Sequence, residues 1–276
     1  DTYIPFSETS KPALVGFILL LCGLVVWSIF LAFDKKLDNQ IETEALKNAQ
    51  PASKEDKFRF SDVFKVLGNK HYILISLLCV FFYACIISFR RFATSIIMPR
   101  FGIESDIASL IVSLLPFTTM IFTPIFGSLV DIKGKATRWM IVGSVLLLIS
   151  HLIIGFAPGL PGFAYLGIAI LGIGYSLVPA AMWPSVPKII PDKNLGTAYS
   201  LIYWIQNMGM WLVPIFVGQI IERNLDDKIR AAVNAEYLFI VLSVVAIIVS
   251  FILARSSDKN PVLELDVPNK AKKAGK

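Results

Sequence analysis

Arg90 and Arg91 stand side by side in a run from His71 to Met98 that is otherwise apolar, and Tyr83 lies seven residues before the first of them. Seven residues are two helical turns, so Tyr83 and Arg90 share one face while Arg91 points about 100° away. A guanidinium in such a run has two uses: it binds a carboxylate through two parallel N–H bonds, or it runs its stem along apolar surface and its head outward to water. Further groups recur at helical spacing, Tyr175 and Trp183 in one apolar run and Tyr199, Tyr203 and Asn207 in the next. Aromatic faces stack on ligands, although Trp183 equally suits an interfacial anchor. Polar side chains in a span either bond another helix or touch a cavity. The candidate substrate path is therefore Tyr83, Arg90, Tyr175, Trp183, Tyr203 and Asn207. Arg90 would take a carboxylate and repel a cationic side chain nearby. No paired Asp, His-rich cluster or Ser–His set stands at the centre of an apolar run, so the expectation is no catalytic residue, no metal and no cofactor.

The elements that must hold these groups follow from composition. A soluble domain is about 45–50% apolar and about 25% charged, whereas this chain has 55% and 17%, with 20 Phe. Its mean hydropathy is +0.68. Crossing about 30 Å of hydrocarbon takes about 20 apolar residues in a helix. Seven runs qualify: Pro12 to Phe33, His71 to Met98, Ile107 to Val130, Trp139 to Phe156, Phe163 to Trp183, Thr197 to Ile221 and Glu236 to Ala254. The fold class is an all-α, multi-pass integral membrane protein. Cys22, Cys79 and Cys85 fall inside spans and serve as small packing residues. Gly172, Gly174, Pro179 and Pro184 predict a kinked hinge in the fifth span. His151 is expected to pack or to bond another helix.

Lys and Arg orient the spans. With residues 34–70 placed inside, the inside segments hold 19 of them and the outside segments five, so the amino end is outside and the carboxyl end inside. The net charge of +6 is then explained by basic loops against anionic lipid, with no nucleic acid. Residues 34–70 read as a cytosolic linker, with Phe58 to Leu67 able to form a short amphipathic surface helix. Residues 71–254 form a six-helix unit. Residues 255–276 read as a disordered polar tail. Pro124, Ile125, Phe126 and Gly127 recur as Pro214, Ile215, Phe216 and Gly218, a faint echo of the inverted repeats of secondary transporters.

Residues 127–135, GSLVDIKGK, have the form Gly-x-Leu-x-Asp-x-x-Gly-Lys between two spans. This resembles the cytosolic loop motif of the major facilitator superfamily, which joins the second and third helices of each six-helix half. The resemblance implies that the seven spans are helices 6 to 12 of a twelve-helix fold. Residues 1–33 would then be the last helix of the amino half, 34–70 the central loop and 71–254 the carboxyl half. Residues 172–209, with Gly-Tyr-Ser-Leu, Ala-x-Trp-Pro, Leu-Gly-Thr-Ala-Tyr and Gln-Asn, are similar to the branch of the superfamily that contains a lysosomal dipeptide exporter.

That resemblance implies facilitated (uniport) export of dipeptides, cationic ones preferred, from lysosome lumen to cytosol by alternating access. It also implies a glycosylated accessory membrane protein as partner, a homodimer as a further option, and an amino half, helices one to five, absent from this chain, which begins at Asp1. Gly127, Asp131, Gly134, Lys135 and Arg138 form the conformational loop motif, Asp131 just past a helix end and facing a helix of the amino half, so that its charge is left without a partner here. Two other readings are weighed: an exchanger of small organic anions, which Arg90 would also serve, and a seven-helix receptor. Against the receptor, the last span lacks Asn-Pro-x-x-Tyr and the third lacks a terminal Asp-Arg-Tyr.

Overall fold

Hydrocarbon offers no hydrogen bonds, so a spanning backbone must satisfy itself within one segment, and long helices are the result. The computed structural model describes residues 6–47 and 60–268, without the side chains of 6–10, 12 and 41–47. Among them the helices are α1 (Phe6–Lys47), α2 (Phe60–Leu67), α3 (Lys70–Phe101), α4 (Ser105–Lys133), α5 (Ala136–Phe156), α6 (Pro161–Met182), α7 (Val186–Ile189), α8 (Leu195–Glu222) and α9 (Lys228–Asp258). Seven segments are long and apolar enough to cross a membrane, with mean hydropathy from 1.3 to 2.9.

Residues 1–57 and 58–276 form two separate units. In the first, α1 is one unbroken helix with exposed Leu20, Val26 and Phe33 along its apolar length. Its candidate span is Ala13–Gln40. The helix therefore continues into residues expected to be linker, because Asp34 to Lys47 contain neither Pro nor Gly to stop it. The middle of that linker lies outside the described residues.

In the second unit α3 is the central helix and touches α4, α5, α6, α8 and α9. Asn69 starts it: the side chain accepts from His71 N and Tyr72 N, and its amide donates to Ile189 O at 3.0 Å. The buried Tyr72 hydroxyl donates to Ala198 O at 2.7 Å and ties α3 to α8. Small residues set the other contacts. A Cβ on Gly174 would lie 3.0 Å from Gly143 O, one on Gly167 would lie 2.7 Å from Ile154, and one on Gly172 would lie 2.6 Å from Thr118. These glycines let α6 close on α5 and α4, and α6 is one continuous helix through Gly172, Gly174 and Pro179. The irregularity comes later, as a 3₁₀ turn over Trp183–Ser185. Pro187 has no N–H for Trp183 O, so that carbonyl takes a shorter-range bond from Val186 N instead. α2 forms where an amphipathic helix is expected and buries Val66, while Phe60 and Phe64 stay exposed.

The segment after Arg255 departs from expectation. Its described residues are ordered: α9 continues to Asp258, a 3₁₀ turn follows at Pro261–Leu263, and Leu265 is buried. It folds as a strap against the loop motif. The Asp266 carboxylate accepts from Thr137 N and Thr137 Oγ1, both at 2.8 Å, and so caps α5. Asp266 O accepts from Lys135 N at 2.8 Å, Lys188 donates to Val267 O at 2.9 Å, and Arg138 pairs with Asp258 at 2.7 Å. Satisfied polar groups order a segment that composition alone marks as polar tail.

The loop motif differs from expectation too. Gly127 and Asp131 lie within α4, Asp131 in its last turns, and only Gly134 and Lys135 leave helical geometry. Both have positive φ, 64° and 57°, and Gly134 has a second constraint: a Cβ there would overlap Asp266 O and Pro268 N. Asp131 is not left without a partner, because it makes an interaction within the chain.

Asp266→Ala removes the cap and should cost about 0.5–2 kcal/mol. Thermal unfolding in detergent should show a lower midpoint, with faster amide exchange in the first turn of α5, whereas Asp266→Asn, which keeps the Oδ1 acceptor for Thr137 N, should recover most of the loss.

Candidate functional site

Trp183 stands at the centre of an aromatic column contributed by three helices. Its indole Nε1 donates to Tyr83 Oη at 3.0 Å, and its ring stacks on Tyr203 with centroids 5.1 Å apart. Tyr83 meets Tyr175 edge to face at 6.0 Å, with fully buried Phe82 behind them. The Tyr199 hydroxyl donates at 3.3 Å to Trp183 O, the carbonyl that Pro187 leaves short of its helical bond. Edge-to-face and offset pairs of this kind are each worth about 0.5–1.5 kcal/mol beyond area burial, and a buried indole needs an acceptor. The 3₁₀ turn aims Trp183 across to α3 and α8.

Of the substrate-path residues read from the sequence, four therefore meet: Tyr83, Tyr175, Trp183 and Tyr203. Arg90 lies two turns along α3 from Tyr83. It is exposed, as is Arg91, and neither makes an ion pair among the described residues. Asn207, also exposed, sits one turn beyond Tyr203 and donates to Tyr203 O at 2.7 Å, within its own helix. Tyr199 completes the column; its place in the Tyr199, Tyr203, Asn207 stripe was the available signal. Tyr203 is 51% exposed, Trp204 62% and Trp211 67%, so one side of α8 has no cover from the described residues of its own unit. Gly127, Asp131, Gly134, Lys135 and Arg138 belong instead to the strapped turn between α4 and α5.

A second polar group is buried away from this face. His151 Nδ1 and Glu236 Oε2 are 2.8 Å apart, and His151 Nε2 lies 3.3 Å from Cys85 Sγ. All three side chains are at 0% exposure, and Phe89 and Phe239 pack on the imidazole. Thiol, imidazole and carboxylate stand in the order of a nucleophile, base and orienting acid, in a place substrate cannot reach. The group joins α3, α5 and α9. Glu236 was expected at the edge of its span; α9 begins at Lys228, which places it two turns inside. Its Oε1 has no hydrogen-bond partner among the described residues. Arg100 Nε donates to Gly155 O at 2.9 Å and its Nη2 to Ala157 O, closing the end of α5 nearby. Gln206 was also missed: its Oε1 accepts from Cys79 Sγ at 3.2 Å, a contact set only by how α8 lies on α3.

Known sequences agree with this architecture. The family model of the Major Facilitator Superfamily matches residues 76–275. The lysosomal dipeptide transporter MFSD1 of Homo sapiens is 30% identical over 190 residues, 68% of this chain and 39% of that protein. That of Mus musculus is 29% identical over 219 residues, 78% of this chain and 46% of its own length. That of Bos taurus is 34% identical over 173 residues, 61% and 36%. The match thus spans less than half the length of each relative, on its carboxyl part.

Two outcomes follow from the geometry. Glu236→Ala should destabilise the protein by about 3–5 kcal/mol, since it strands a buried partner, whereas the double variant His151→Leu/Glu236→Leu should recover much of that. Thermal unfolding midpoints of the three proteins decide it. A double-mutant cycle of Tyr83→Phe and Trp183→Phe should give a coupling of about 1 kcal/mol.

Proposed function

The chain belongs to the Major Facilitator Superfamily, and from that membership we propose that it forms the carboxyl half of an alternating-access transporter of dipeptides. The observation that carries this reading is the aromatic column in which Trp183 is bonded to Tyr83 and stacked on the exposed Tyr203, with Arg90 two turns along α3 on the helix face that Tyr83 shares. Arg90 receives the peptide carboxylate through two parallel bonds. Two turns of α3 separate Arg90 from Tyr83, about 10 Å. An extended dipeptide reaches about 7 Å, and a Lys stem covers the rest. The ammonium of a cationic substrate then falls against the Trp183 and Tyr203 rings, where cation–π attraction is worth about 0.5–2 kcal/mol, and stays clear of the Arg90 charge. This arrangement supports the preference for cationic dipeptides.

In the full transporter, helices one to five of the amino half cover the exposed faces of α4 and α8 and complete the path. Transport is uniport, from lysosome lumen to cytosol, with a glycosylated accessory membrane protein and a homodimer as the partners to test. The strapped turn between α4 and α5 is the conformational element, since a contact of Asp131 with the amino half would hold one access state and break in the other. An exchanger of small organic anions is the second reading, favoured by an Arg90 guanidinium with no ion pair among the described residues. Superfamily membership sets aside the seven-helix receptor.

Flux of labelled Lys-Ala into proteoliposomes of the full-length parent, against oxalate and lactate, separates the two. Dipeptide flux without organic-anion exchange is the expected result, and its absence refutes the first reading. Arg90→Ala should lower flux about 10- to 100-fold, the loss of one charge-assisted pair, while Arg91→Ala should leave most of it. A more damaging Arg91→Ala overturns the facing argument.

A further inference from the structure

At the α4–α5 turn, Lys133, Lys135, Arg138, Trp139 and Val142 line an open groove of about 580 Å³. Its charge is of one sign. Lys133 and Lys135 are exposed and make no ion pair among the described residues, and Arg138 gives only its Nη2 to Asp258, with half its side chain still exposed. The indole is held in place, since Trp139 Nε1 donates to Gly134 O at 3.0 Å. Below the groove an apolar stripe descends α5: Val142, Val145, Ile149, Leu152 and Phe156 are all exposed, spaced by three and four residues. That spacing is one helix face, and it starts where the cations end.

The counted charges put this turn on the cytosolic side, where the leaflet is anionic. Lys133 and Lys135, beside an Arg138 shared with Asp258, exceed the single phosphate charge of a zwitterionic headgroup, and the stripe beneath matches a hydrocarbon chain. We propose that this groove binds the phosphorylated headgroup of a polyanionic phospholipid, with an acyl chain along Val142 to Phe156. Lys133 and Lys135 supply the charge for its phosphates, Arg138 shares itself between the lipid and Asp258, and the Trp139 indole sits at the level of the glycerol backbone. The site lies on the turn that the strap shapes, so lipid binding would also stiffen the loop motif. It is independent of which substrate the transporter carries.

The test uses the full chain in nanodiscs of phosphatidylcholine doped with phosphatidylinositol 4-phosphate, with bound lipid read by native mass spectrometry after extraction. Selective retention of the phosphoinositide is expected, weakened about tenfold or more by Lys133→Gln/Lys135→Gln. The control Lys193→Gln/Lys259→Gln removes the same charge elsewhere on the cytosolic side and should retain the lipid. No selectivity, or equal loss in both double variants, overturns the proposal, because it reduces the effect to bulk attraction. Displacement by soluble inositol 1,4-bisphosphate at concentrations equal to the lipid overturns the acyl-chain part. Unchanged unfolding midpoints in both variants confirm that the fold is intact.

Discussion

A carboxylate with no exposure must find its partner inside the protein, and Glu236 finds His151 at 2.8 Å. Charged or neutral, neither group can be left alone at that depth without a penalty of several kcal/mol. The pair therefore dictates how α5 and α9 meet, and Cys85 brings α3 to the same point. The geometry of α3 then positions everything else. Cys85 is two residues from Tyr83 and five from Arg90, so at 100° per residue it lies on the side of the helix opposite both. Locking one side of α3 into the buried group turns the Tyr83 and Arg90 side toward α6 and α8. Ser144, Ser176 and Ser243 show the same constraint on a smaller scale, each hydroxyl donating to the carbonyl four residues earlier in its own helix.

The cytosolic end is held by a different kind of contact. The turn between α4 and α5 has only two non-helical residues, both at positive φ, and one of them has the strap backbone where a side chain would be. Asp266 caps α5, Asp258 meets Arg138, and Lys188 reaches the strap from α7. One short segment thereby links the ends of α5, α7 and α9. A motif that reads as a free charged loop is a worked joint in this chain.

Much of this was legible in order of locality. The seven spans and the shared face of Tyr83 and Arg90 depend only on run length and helical period. Span ends were less legible, because Lys, Glu and Asp continue a helix as well as Leu does, so α1, α3 and α9 all run past their apolar cores. The convergence of Tyr83, Tyr175, Trp183 and Tyr203 was anticipated as a path of separate aromatic groups, not as a hydrogen-bonded column. What joined them was Pro187, whose missing N–H produced the 3₁₀ turn, and proline positions in a span do not say which way the next ring points.

By itself, then, the sequence determined that the chain is a bundle of membrane-length helices with a superfamily loop motif, since in hydrocarbon a backbone can satisfy itself only within one segment. Only the tertiary structure decided that His151 faces Glu236 across 85 residues, that Thr137 takes its cap from Asp266 across 129, and that the described part of the polar tail is a strap. Such pairings depend on where helices cross, and crossings are set by the small residues that let α6 close on α5 and α4. No periodicity within a single helix encodes that distance.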